Sequence, residues 1–143
     1  MSIRDIIRRN GRHVETINGY EPVRSAALKM RAKNITALIV TERAVICGLL
    51  SERDIVLAIS THGAAAILMN VRDVMSRDVK TVALADSCDR AMRLMTRNRT
   101  HHLLVTDDGA VAGLLSIDDV AGHELVAHAF ERNIFAGPAL ATG

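Results

Sequence analysis

Aromatic side chains are almost missing from this chain of 143 residues. Only Tyr20, Phe130 and Phe135 occur, and tryptophan is absent. The core must therefore be built from Val, Ile, Leu, Ala and Met. The same shortage argues against a protein that binds nucleic acid by stacking bases on aromatic side chains.

Cysteine and long apolar runs are also scarce. Cys47 and Cys88 lack metal-ligand spacing, and we expect them to be buried free thiols. No run approaches the roughly 18–20 apolar residues that a membrane span requires, so no membrane contact is expected. The N-terminal residues are charged and lack the apolar stretch of a signal peptide, which predicts a cytoplasmic location.

Neither sign of charge is in large excess, because the net charge is only +2. Such a charge does not by itself indicate a polyanionic partner. Arg4, Arg8, Arg9 and Arg12 do form a basic cluster, but a solvated helix face accounts for it equally well. Nucleic-acid binding through these arginines is the least supported of three hypotheses, and we expect no nucleic-acid partner.

The chain repeats itself. A shift of 65 residues aligns residues 14–55 with 79–120 without a gap. The clearest match joins the segments 48–54 and 113–119, which share the pattern Gly-Leu-Leu-Ser-x-x-Asp and are identical at five of seven positions. Two copies of one structural unit are therefore expected.

A weaker similarity precedes each copy, where Ile3-Arg4-Asp5-Ile6-Ile7 resembles Val71-Arg72-Asp73-Val74-Met75. We call these two stretches the lead-in segments. The whole chain, 1–143, is expected to form one module with three parts. These are repeat one over about 3–63, repeat two over about 71–133, and a flexible tail over 134–143.

Each copy predicts the element order βαββα. The predicted strands cover 14–17, 37–41 and 45–50 in the first copy, and 79–82, 102–106 and 110–115 in the second. The predicted helices cover about 22–33 and 87–98, with two more beginning at Ser51 and Ser116 and ending near Gly63 and Asn133. Pro22 suits a first helical turn, and Asp86 offers an N-cap.

Neither copy alone can cover both faces of its small sheet. Two copies that pack sheet against sheet solve this problem. The predicted fold class is therefore α+β, with two βαββα repeats related by a pseudo-two-fold axis and a cleft between them.

The element order and the segment 48–55 resemble the cystathionine-β-synthase-type (CBS) domain, present as a tandem pair without a further domain. The resemblance implies the CBS-pair fold and binding of adenosine-containing ligands in the cleft: AMP, ADP, ATP, NADH or S-adenosylmethionine. It also implies a homodimer and a regulatory role. The adenine nucleotide would then be a regulatory ligand with no required cofactor, and a separate effector protein would respond to it.

The repeated motif suits a nucleotide chemically. Ser51 and Ser116 begin helices, where free N–H groups and the helix dipole favour a phosphate. The carboxylates of Asp54 and Asp119 can accept two hydrogen bonds from the vicinal hydroxyls of a ribose. The glycine of each motif is expected to let a ligand approach the backbone.

Further site residues follow from the resemblance or from charge. Arg53 can pair with phosphate, whereas Asp118 at the matching position repels it, so equal occupancy of the two half-sites is not expected. The resemblance adds the positions that begin each repeat and those that lead into its second strand. These are Thr16, Thr81, Thr36, Ala37, His101 and His102.

Other interpretations stay open. Ser-x-x-Asp at a helix start is also a capping box, so the chain could be a dimerisation or partner-docking module without a ligand. An enzyme is not expected, because no phosphate-binding loop or nucleophile-elbow motif occurs. His123 and His128 lie five residues apart rather than the four that a zinc-protease helix requires, so no metal site is expected.

Overall fold

The structure, a computed structural model, describes residues 2–10 and 14–122. The N-terminal helix α1 covers Ile3–Asn10. The rest of the first repeat is β1 (Thr16–Asn18), α2 (Val23–Lys33), β2 (Ala37–Glu42), β3 (Val45–Ser51) and α3 (Glu52–His62). A 3-10 helix over Gly63–Leu68 and the short helix α4 (Val71–Val74) lead to β4 (Thr81–Ala83), α5 (Cys88–Asn98), β5 (His102–Asp107) and β6 (Ala110–Ser116). Residues 117–122 are again helical.

Each repeat forms a three-stranded sheet, with strand orders β1-β2-β3 and β4-β5-β6. The first strand pairs in parallel with the second, and the second and third form an antiparallel hairpin. The strand register is the same in both repeats, since Thr16 lies opposite Ile39 and Thr81 lies opposite Leu104 at the equivalent positions. Two equivalent α+β repeats are therefore present, which confirms the predicted fold class.

The two sheets pack together through a small apolar cluster. Ile39 and Leu49 of the first sheet contact Leu104 of the second, and Val14 and Val79 flank them. This packing confirms the predicted arrangement of sheet against sheet.

Each lead-in segment completes the core of the other sequence repeat. Ile3, Ile6 and Ile7 of α1 are buried against the strands and helix of the second repeat. Val71 and Met75, which open the second sequence repeat, are buried in the core of the first. The structural halves are therefore exchanged relative to the sequence repeats.

Some local expectations need correction. The N-cap of α5 is Ser87, whose hydroxyl accepts from Arg90 N at 3.1 Å, rather than Asp86. Asp86 instead accepts from the Ala83 N–H and pairs with Arg90. Pro22 occupies the N-cap position of α2 with an extended backbone, one residue before the first turn.

The two cysteines are free but only half-buried, so their expected full burial is wrong. The predicted end of the second repeat near Asn133, the tail over 134–143 and His123 and His128 lie outside the described residues. In 2–10 and 14–122, no helix has both the length and the apolar character needed to cross a membrane.

Candidate functional site

The start of α3 is held by a complete capping box. The Ser51 hydroxyl accepts from Asp54 N at 3.3 Å, and Asp54 Oδ2 accepts from Ser51 N at 2.9 Å. Asp54 Oδ1 accepts a further hydrogen bond from the Ser76 hydroxyl at 2.9 Å. The carboxylate is therefore fixed in position by groups on two separate segments.

The second repeat reproduces this helix start. Asp119 Oδ2 accepts from Ser116 N at 2.9 Å, and the Ser116 hydroxyl accepts from Asp119 N at 3.1 Å. No described residue takes the place of Ser76 at Asp119 in the hydrogen bonds of the structure. Both serine–aspartate pairs therefore cap their helices, whatever else they do.

Each pair opens onto a cavity shared with the other repeat. Cavity one has a volume of about 420 Å³ and contains Ser116 and Asp119 of the second repeat. The first repeat supplies its opposite wall, made of residues 14–15 and 34–37, while Ile7 of α1 also lines it. A volume in the range of about 300–1,000 Å³ is typical of small-molecule sites.

Cavity two is the equivalent space on the other side of the pseudo-two-fold axis. It has a volume of about 710 Å³ and contains Ser51 and Asp54 of the first repeat. The second repeat supplies residues 79–80 and 99–102, which correspond to 14–15 and 34–37 after the shift of 65. Ser76 also lines this cavity.

The two cavities meet at one hydrogen bond. Thr36 Oγ1 lies 2.8 Å from His102 Nε2, and both residues line both cavities. His102 is only 8% exposed, and its burial, followed by the neighbouring His101, lowers the pKa of the imidazole. The ring is therefore held neutral where the two repeats touch.

Most predicted site residues line one or both cavities. They are Thr36, Ala37, Ser51, Arg53, Asp54, His101, His102, Ser116 and Asp119. Thr16 and Thr81 do not line the described walls. The preceding residues Glu15 and Lys80 line them instead, just before β1 and β4 begin at Thr16 and Thr81.

Sequence reasoning missed three kinds of lining residue: the pair Glu15 and Lys80, the residue Asn34, and Ser76. Arg99 is the residue that matches Asn34 after the shift of 65. The alignment of the two repeats carried a signal for the first two, because it places opposite or unlike charges at equivalent positions. Nothing in the sequence indicated Ser76.

The glycines of the repeated motif, Gly48 and Gly113, have a different role from the expected one. A Cβ on Gly48 would lie 2.8 Å from the carbonyl oxygen of Ser76, and one on Gly113 would lie 2.8 Å from Ile7 Cδ1. Neither glycine lines a cavity. The interpretation that they make room for a ligand is wrong, because the lead-in segments and the residue that follows one of them fill that space.

The comparison with known families agrees with this architecture. The CBS domain family model matches residues 3–61 and 71–125, once for each repeat. The chain belongs to the CBS domain family. Its two matched regions make it a tandem CBS pair, as the resemblance implied.

Several similar proteins extend this result. A CBS-domain protein of known structure from Agrobacterium tumefaciens is 32% identical to this chain. The two structures align with a TM-score of 0.82 over 87% of this chain and 99% of the other. The mitochondrial CBS domain-containing protein CBSX3 of Arabidopsis thaliana is 32% identical over 105 residues, or 70% of this chain. The chain spans about half, 51%, of that relative. The CBS domain-containing protein YhcV of Bacillus subtilis is 27% identical, over 78% of this chain and 79% of its own length.

No group of three or more His, Cys, Asp or Glu side chains is placed to hold a metal ion within the part of the chain that the structure describes. The charged and polar groups of the CBS pair are instead distributed along the walls of the two cavities. These groups can donate and accept hydrogen bonds and can form ion pairs.

Proposed function

We propose that this CBS pair is a regulatory module, not an enzyme, that binds adenosine-containing ligands between its repeats. One observation carries the proposal. The serine–aspartate motif of each repeat faces, across a cavity, the segment that leads into the second strand of the other repeat. A ligand in either cavity therefore contacts both repeats, and its binding favours one relative orientation of them.

The wall opposite each motif is suited to a nucleoside. In cavity two, His102 and Thr100 combine with the apolar Leu49 and Val79 to offer a surface that is part polar and part apolar. An adenine ring requires both an apolar face and hydrogen-bonding groups at its edge. The carboxylate of Asp54 then lies at the helix start, where it can accept the ribose hydroxyls.

The alternative is a docking module in which the motif only caps helices, and the observed capping boxes give it direct support. The two proposals differ in what Asp54→Ala does to binding. Isothermal titration calorimetry with AMP, ADP, ATP, NADH and S-adenosylmethionine decides between them. Under the ligand proposal, Asp54→Ala or Asp119→Ala abolishes the binding of at least one of these compounds.

Ser87→Ala is the matched control for this experiment. Ser87 caps α5 in the same manner, yet it lines neither cavity. It should cost a similar capping energy, about 1 kcal/mol, without changing ligand affinity. If wild-type protein binds none of the five compounds at millimolar concentration, the docking module becomes the better description.

We also propose that the chain forms a homodimer through α3 and the 3-10 helix that follows it. Val56, Leu57, Ile59 and Leu68 are all large apolar residues with exposed side chains, and Leu68 is 78% exposed. A contiguous apolar surface of this kind is typical of an interaction site. A signal from the cavities can then pass to a separate effector protein through the pairing of two copies.

Light scattering after size exclusion tests the dimer. The double variant Ile59→Glu and Leu68→Glu should elute as a monomer, because two charges cannot be buried in an apolar interface. Leu28→Glu, an equally exposed apolar position on α2, should remain dimeric. A monomeric wild-type protein would exclude the proposed interface.

A further inference from the structure

The two cavities are equivalent in position but not in charge. Three lining positions of cavity two carry a basic residue where cavity one carries an acidic or a neutral one. The equivalent pairs are Lys80 with Glu15, Arg99 with Asn34, and Arg53 with Asp118. Because the two residues of each pair occupy equivalent positions, they face the same part of a ligand bound in the respective cavity.

The cations of cavity two are available to a ligand. Arg53 and Arg99 are solvent-exposed, and Lys80 pairs at 3.0 Å with Asp78, whose side chain is 82% exposed. An ion pair this exposed is worth little, so the ammonium of Lys80 can turn to a phosphate. The same cavity also contains the carboxylates of Glu52, Asp54, Asp78 and Asp118, but a phosphate needs only the part of its wall that carries the three cations.

The described walls of cavity one offer a phosphate nothing comparable. Of the residues described, no lysine or arginine lines it, whereas Glu15, Asp118 and Asp119 do. Glu15 is balanced by Lys29 at 3.5 Å and Lys33 at 3.7 Å, and neither lysine lines the cavity. A phosphate bound here would face carboxylates at short range in a partly desolvated space, which is strongly unfavourable.

We propose, as an extension that rests on the nucleotide function above, that phosphate-bearing ligands bind in cavity two alone. Arg53, Lys80 and Arg99 select the phosphate group there. Cavity one excludes it and accepts only an uncharged nucleoside end. The chain therefore takes up one nucleotide per copy, although it contains two equivalent cavities.

Titration of the full chain with AMP and with adenosine tests this inference. AMP should bind with one equivalent per chain, and adenosine should bind more weakly. Arg53→Gln and Arg99→Asn should each weaken AMP binding about 10-fold or more, since each removes a charge-assisted hydrogen bond. Adenosine binding should not change in either variant.

Arg97→Gln is the matched control, because Arg97 is also an exposed arginine near the end of α5 and lines neither cavity. It should leave AMP binding unchanged. Circular dichroism of all variants establishes that they are folded. An equal loss of AMP binding in Arg97→Gln would mean that net charge, rather than these positions, attracts the nucleotide, and would overturn the inference.

Asn34→Arg provides the reciprocal experiment. Asn34 has φ 54°, and Arg99 at the matching position has φ 50°, so the backbone there tolerates an arginine. The variant should gain a second AMP equivalent per chain. Two AMP equivalents in the wild type, or a single one in Asn34→Arg, would contradict the charge selection while leaving nucleotide binding intact. No binding of AMP, ADP, ATP, NADH or S-adenosylmethionine to the wild type would instead refute the proposed function itself.

Discussion

Thr36 of the first repeat and His102 of the second form a hydrogen bond of 2.8 Å at the point where the two cavities meet. The pseudo-symmetry does not produce this contact, because the residue equivalent to His102 is Ala37 and the residue equivalent to Thr36 is His101. This hydrogen bond between the repeats therefore has no counterpart related by the pseudo-two-fold axis. It lies where the two cavities meet.

The buried His102 predicts a pH-dependent stability. Burial lowers its pKa in the folded protein below the ordinary value of 6.5, so the unfolded chain binds the proton more readily. The stabilisation is complete above about pH 6.5 and is lost as the pH falls through the folded pKa. Urea unfolding at about pH 7.5 and pH 5 should show a fall in the free energy of unfolding.

His102→Gln should reduce this pH dependence and should cost about 0.5–1.5 kcal/mol at neutral pH if the amide fails to reach Thr36. His62→Gln is the control, since His62 is an exposed histidine at the end of α3. An unchanged pH profile in His102→Gln would mean that other groups cause the acid sensitivity.

The capping boxes predict unequal costs for the two aspartates. Asp54→Ala removes the box and the Ser76 hydrogen bond, whereas Asp119→Ala removes the box alone. Asp119→Ala should therefore cost about 1 kcal/mol, and Asp54→Ala about 0.5–1.5 kcal/mol more. Chemical denaturation measures both values, and Ser76→Ala should account for the difference.

The glycines of the repeated motif predict a packing defect. Gly48→Ala places a Cβ 2.8 Å from the backbone oxygen of Ser76, which cannot move independently. The expected loss is about 1–3 kcal/mol in the free energy of unfolding. Gly122→Ala is the control, because no atom of the described residues would lie within 4 Å of its Cβ and the residue is helical. It should be neutral or should stabilise the protein by about 0.5–1 kcal/mol.

The exchanged lead-in segments predict where a core mutation acts. Ile7→Ala should destabilise the protein by about 2–5 kcal/mol, because Ile7 is buried and the cavity left behind costs energy. Native-state hydrogen exchange should show the larger loss of protection in β5 and β6 rather than in β2 and β3. Met75→Ala should show the opposite pattern, and identical patterns would mean that the two cores open together.

The element order could be read from the sequence because the repeat supplied two versions of each pattern. The predicted hairpin strands 37–41 and 45–50 each extend by one residue in the structure. The first strand of each repeat begins later than predicted, at Thr16 and Thr81. Apolar residues before a strand, such as Val14, look the same in sequence whether they pair in a sheet or only pack against the other repeat.

Less of the site than of the fold could be predicted from the sequence. Ser51, Asp54 and their equivalents stand in a motif, so their place at a helix start followed directly. The alignment of the repeats shows that Glu15 and Lys80 differ in charge, but it does not show which segment of the opposite repeat each of them faces. The function of Gly48 was misjudged for the same reason, since Ser76 is distant in sequence.

The buried position of α1 on the second repeat has a consequence for how the chain is made. The strands that cover Ile3 and Ile7 are synthesised roughly a hundred residues after this helix. Until then its apolar face has no permanent partner, and the first repeat likewise waits for Val71 and Met75. The first half can therefore complete its core once Met75 has been made, whereas α1 reaches its native contacts only after β5 and β6 have followed.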